Sequence, residues 1–132
     1  MREVRDLVTK AHRFLDSARR LLEAGDHDSC VSRCYYAMFL VAEAALLTRG
    51  ATASTHKGVI AAFGRLFVRP GTVPRELGRW LSTAHDLRLV ADYAAGLTVA
   101  REDAERTLAH ARRFVETVRA CIEHSGPERD DD

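Results

Sequence analysis

Apolar residues return every three or four positions along almost the whole chain, the period of amphipathic helices, and nowhere alternate singly as in a half-buried strand. Val4, Leu7, Val8, Ala11, Phe14, Leu15, Ala18, Leu21 and Leu22 draw one stripe. They predict a first helix from Val4 to about Ala24, ended by Gly25. A second helix starts near Asp26 or Asp28, either of which suits the N-cap, and runs to about Arg49 before Gly50. From Cys34 to Leu47 it is apolar or aromatic on every side except at Glu43, so it belongs at the centre of a bundle. That stretch is shorter than the ~20 residues needed to cross a bilayer, and no membrane partner is expected.

Residues Ala51 to Thr55 read as a loop, with Ser54 or Thr55 capping a third, shorter helix that carries Val59, Ile60, Phe63, Leu66 and Phe67. Arg69-Pro70-Gly71-Thr72-Val73-Pro74 breaks the chain. Pro74 suits the first position of a fourth helix, whose apolar positions are Leu77, Trp80, Leu81, Ala84, Leu87 and Ala91 and which Gly96 closes. Thr98 then caps a fifth, with Ala104, Leu108, Ala111, Phe114, Val115, Val118, Cys121 and Ile122 facing inward. The expected fold is all-α, an antiparallel up-and-down bundle of five helices over residues 1–124, followed by a disordered acidic tail at 125–132.

Composition narrows the function classes. A formal net charge of +1 argues against a domain that grips duplex nucleic acid by charge alone and leaves room for a local basic patch. Three cysteines, Cys30, Cys34 and Cys121, form no disulfide framework, and no histidine or second cysteine pair completes a metal site around them. Small core residues in a reducing compartment are the expectation. The charged opening, Met1 to Asp6, is followed by no apolar signal region, so the cytoplasm is the expected location, with neither metal nor cofactor.

Three segments hold polar residues that a bundle does not itself require. On the second helix Arg33, Tyr36, Leu40 and Glu43 share a narrow stripe, which either lines a cleft or forms the solvent-facing edge. Ser54-Thr55-His56-Lys57-Gly58 places hydroxyls, a histidine and a lysine at a helix start, where free N–H groups favour an anion; plain capping is the other reading. On the fourth helix His85, Arg88 and Asp92 share one face bordering the apolar stripe, as a partly buried cluster or as a surface ion pair.

In this order the three segments resemble the HEPN family, in particular its small single-domain branch. The residues are Ser32-Arg33-Cys34-Tyr35-Tyr36-Ala37-Met38-Phe39, then Ser54-Thr55-His56-Lys57-Gly58, then Arg88-Leu89-Val90-Ala91-Asp92-Tyr93, with Ala111-Arg112-Arg113-Phe114-Val115 fitting the closing helix. The resemblance implies an up-and-down bundle that commonly forms a homodimer. It also implies either a metal-independent ribonuclease or a toxin paired with a small nucleotidyltransferase. In the family's nucleases an arginine precedes a histidine by a short spacing, the imidazole serving as base on a ribose hydroxyl and the arginine steadying the phosphorane. Arg88 matches that arginine, but five residues later stands Tyr93, and a phenol with its ordinary value near about 10 is a poor base at neutral pH.

The reading that follows is a HEPN-like protein that binds nucleotide or RNA, or docks a nucleotidyltransferase, without the usual nuclease histidine. Its candidate binding residues are Arg33, Tyr36, His56, Lys57, Arg88, Asp92 and Tyr93. One alternative is an endoribonuclease using Arg88 with His56 or His85; another is a non-catalytic assembly dimer.

Overall fold

The apolar periods are realised as five helices: α1 (Arg2–Glu23), α2 (His27–Leu47), α3 (His56–Phe63), α4 (Glu76–Tyr93) and α5 (Arg101–Asp130). The structure, a computed structural model, describes residues 2–96 and 98–130, with side chains as far as His124. Among the described residues there is no strand.

Helix α2 is the axis of the bundle. Cys34, Tyr35, Ala37, Met38, Val41, Ala42, Ala44 and Ala45 have no exposed surface, because α1, α5 and α4 each lay an apolar face on it. Counted over His27–Leu47 the helix is long and apolar enough to cross a membrane, since Cys30 and Val31 extend the stretch beyond the Cys34 expected from the sequence. About two-thirds of its most apolar window, 67%, is instead buried against the other helices. On α1 the buried positions are Val4, Ala11 and Ala18, and the two alanines let its backbone approach α2 closely.

The end of α1 and the starts of α2 and α3 follow the capping signals. Gly25, at φ 82°, ends α1 with its N–H on the Leu22 carbonyl and the Asp26 N–H on that of Leu21, a Schellman turn. The Asp26 carboxylate then accepts from the Ser29 N–H and caps α2. Thr55, rather than Ser54, caps α3 by accepting from the Gly58 N–H at 2.9 Å.

Several boundaries differ from expectation. After α3 the chain widens into a π-helical turn, Gly64–Val68, with the Arg69 N–H on the Gly64 carbonyl at 2.8 Å. The wider turn keeps Phe67 inward, stacked on Phe63 with ring centroids 5.4 Å apart. Pro74 lies two residues before α4, its carbonyl accepting from the Leu77 N–H in a tight lead-in turn. Thr98 does not cap α5. The Val99 N–H is taken by the Asp28 carboxylate at 3.0 Å, which holds residue 99 outside the helix, and the Ala100 carbonyl accepts the first helical bonds. The expected tail, 125–132, falls on residues whose side chains lie outside the described set.

Candidate functional site

The adjacent tyrosines of α2 organise the polar chemistry. Two neighbouring residues on a helix point about 100° apart, and here one goes inward while the other reaches the surface. Tyr35 has no exposed area and needs a partner for its hydroxyl, which it finds in Nδ1 of His56 at 2.7 Å. Tyr36 is half-buried and accepts a hydrogen bond from Arg88 Nη1 at 3.2 Å.

Arg88 arrives from α4 and lies against both phenol rings, its guanidinium carbon 5.2 Å from the centroid of Tyr35 and 5.3 Å from that of Tyr36. The same Nη1 donates to Asp92 one turn on at 3.2 Å, and Asp92 in turn accepts from Ser32 Oγ on α2 at 3.0 Å. The arginine side chain is only 13% exposed, and its Nε is buried without a hydrogen-bond partner. Packing against two rings and holding two oxygens fixes the guanidinium in one place.

His56 sits at the start of α3 but does not project from it. Its ring is stacked on Phe39 at 4.3 Å, approaches Tyr35 at 5.7 Å and lies 6.2 Å from His85. Burial first, then the charge of Arg88 and the neighbouring His85, hold the imidazole below its ordinary value, so it is neutral at pH 7. Burial pushes the Tyr35 phenol up, out of reach of ionisation. His85 is 8% exposed and packs against Tyr35 at 5.3 Å.

Beside this cluster lies an open recess of about 860 Å³. Its aromatic floor is Phe14, Tyr36 and Phe39. Lys10 and Arg33 stand over Phe14, 5.7 Å and 4.8 Å from its centroid, and Asp28, Ser32 and Asp92 close the other side. Tyr36 and Asp92 thus belong both to the recess wall and to the clamp on Arg88.

Of the residues singled out from the sequence, Tyr36, His56, His85, Arg88 and Asp92 meet around Tyr35, and Arg33 faces the adjoining recess. Three lie apart. Lys57 is exposed at the start of α3, where Thr55 already occupies the Gly58 N–H that an anion would have used. Tyr93 is 80% exposed and turned away from the buried Arg88, as five helical positions require. Glu43 lines a separate cavity with Glu3 and Leu7, next to Val59 of α3. The sequence reading passed over Tyr35, Ser32 and Lys10 as site residues. Tyr35 carried a usable signal, because a tyrosine on an all-apolar helix must satisfy its hydroxyl, and the polar segments offered few partners.

Comparison with known proteins places these features in a family context. A model of the HEPN domain matches residues 4–121. UPF0332 protein glr0978 of Gloeobacter violaceus is 36% identical over 115 residues, covering 86% of this chain and 91% of its own. "Putative toxin MJ0142" of Methanocaldococcus jannaschii is 31% identical over 121 residues, covering 92% and 82%. The crystal structure of TT1696 from Thermus thermophilus superimposes with a TM-score of 0.78 at 21% identity, over 92% of this chain and 99% of that one, a likeness of fold.

Proposed function

This chain belongs to the HEPN domain family, and from that premise we propose that it is a binding module for a nucleotide or a short single strand of RNA, held in the recess between α1, α2 and α4 without being cleaved. The observation that carries the reading is the pairing of an aromatic floor with two cations above it and a clamped arginine beside it. Tyr36 and Phe39 offer a face to a base, while Arg33, Lys10 and Arg88 answer phosphate charge. Local placement of these cations reconciles such a role with a net charge of only +1. Non-cleavage rests on Tyr93, which stands at the nuclease histidine's position as an exposed phenol.

The relative named "Putative toxin MJ0142" supports a place in a two-protein module, and the resemblance to HEPN toxins makes a small nucleotidyltransferase the expected partner. Val90, 51% exposed, and Tyr93 form an apolar patch on α4 that a partner or a second copy would cover.

Calorimetric titration with AMP, ATP and a short RNA tests the reading. Binding is expected, and Arg33→Ala or Arg88→Ala weakens it about tenfold or more, the worth of one charge-assisted hydrogen bond. A wild-type chain that takes up none of the three ends the proposal. A second reading, metal-independent cleavage, draws on the shared contact of His56, His85 and Arg88 with Tyr35. RNA incubated in EDTA decides it: cutting that disappears in Arg88→Ala favours the nuclease, and intact RNA favours the binding module.

A further inference from the structure

His56 and Tyr35 share a proton in a place that water does not reach, and the way they share it sets what His56 offers to a ligand. We propose that Tyr35 is a positioning residue that locks His56 in the tautomer protonated at Nε2, so that His56 acts beside Arg88 as a hydrogen-bond donor to an anionic oxygen and not as a base. The donor role rests on the nucleotide-binding reading above; the lock itself does not.

Tyr35 is fully buried, and Nδ1 of His56 is the one hydrogen-bond partner of its hydroxyl among the described residues. The 2.7 Å contact can be made in two ways. If the ring donated from Nδ1, the tyrosine proton would point into a dry core with nothing to receive it, an unmet buried donor. If the hydroxyl donates to Nδ1, both groups are satisfied and the ring's single proton resides on Nε2. Tyr35 keeps its proton because burial pushes the phenol up, and His56 stays neutral because burial, Arg88 and His85 hold it down. The ring cannot turn over freely, since Phe39 lies parallel to it at 4.3 Å, tilted by only 16°.

The other nitrogen is open. Among the described residues Nε2 has no protein partner, and it is not a buried unsatisfied atom, so it keeps access to solvent. Arg88 spends Nη1 on Tyr36 and Asp92 and leaves Nη2 without an acceptor among the described residues, likewise not buried. Two donors without a protein acceptor among the described residues thus sit on groups packed beside the Tyr35–Tyr36 pair, one neutral and one charged. That combination suits an oxyanion such as a phosphoryl group. A general base would need a bare nitrogen facing outward, and the bare nitrogen is already occupied by Tyr35.

The tautomer is read in the whole, ligand-free protein by long-range proton–nitrogen correlation on a nitrogen-15-labelled sample near pH 7, with His56 assigned by its loss in His56→Gln. The expected pattern is a bare Nδ1 and a protonated Nε2. In Tyr35→Phe, which keeps the ring and removes the hydroxyl, the pattern shifts to a mixture of tautomers. A protonated Nδ1 in the wild type, or an unchanged pattern in Tyr35→Phe, overturns the lock. AMP added to the wild type is expected to move the Nε2–H resonance while adenosine leaves it in place. A correct tautomer whose Nε2–H resonance ignores AMP that calorimetry shows to be bound overturns the donor role and leaves the lock and the binding reading standing. A chain that takes up none of AMP, ATP and the RNA loses the binding reading and the donor role together and keeps the lock.

Discussion

At the scale of single residues, His56 and Glu43 are displaced from their ordinary protonation behaviour by the same cause, burial, with opposite consequences for stability. His56 is held down, so the folded state takes its proton less readily than the unfolded chain does. Its contribution is intact above the ordinary histidine value of about 6.5 and is lost as pH falls through the lowered value. The groups facing it are Tyr35, Tyr36, His85 and Arg88. Urea denaturation midpoints should therefore fall between pH 7 and pH 5, and the fall should shrink in His56→Gln. Glu43 is pushed up, first by burial and then by Glu3. Its stabilising contribution is present below the ordinary carboxylate range and fades as pH rises through the raised value. Glu43→Gln should accordingly raise the melting temperature at neutral pH and give no gain near pH 4. Neither direction was legible from spacing. A stripe containing Arg33, Tyr36 and Glu43 shows which residues share a face, but burial depends on which helix covers that face. Here Glu43 lines a cavity with the start of α1 and the α2–α3 link, apart from the recess that Arg33 faces.

At the scale of elements, end signals and apolar stripes translated well because each is a local matter. Gly25, Asp26, Thr55 and the breaker at 69–74 act through their own backbone angles and nearest N–H groups. The misplaced start of α5 came from a long-range contact, the Asp28 carboxylate on the Val99 N–H, whereas α4 starts late behind a local turn in which the Pro74 carbonyl accepts from the Leu77 N–H. The π-helical turn at Gly64–Val68 had no local signature and follows from burying Phe67 against Phe63. Two glycines separate local from tertiary effects. Glycine in a helix is destabilising by about 1 kcal/mol relative to alanine, and Gly64→Ala meets open space, so it should stabilise by up to about that amount. At Gly58 a Cβ would stand 2.9 Å from Thr55 Oγ1, the capping atom. Gly58→Ala should forfeit the gain and lose roughly 1 kcal/mol through the damaged cap. Paired thermal melts of the two variants check the contrast.

At the scale of the whole molecule, the bundle was legible and the site only in pieces, for one physical reason. An apolar stripe announces that a helix face is buried, whereas the angle between helices decides which polar borders meet. The tyrosine–histidine contact joins residues 21 apart, and the arginine clamp joins residues 52 apart. Removing a large side chain from the shared core tests how far the helices depend on one another. Phe114 on α5 is fully buried and packs on Phe63 of α3 at 5.3 Å, so Phe114→Ala should destabilise by about 3–5 kcal/mol in chemical denaturation. The central position of α2 also has a consequence for how the protein is made. Its greasy rod is translated well before the α5 strip that shields it, with α3 and α4 in between. Until α5 follows, the nascent chain carries that rod only partly covered, and a translation product halted near residue 100 should be captured by chaperones or precipitate more readily than one that includes α5.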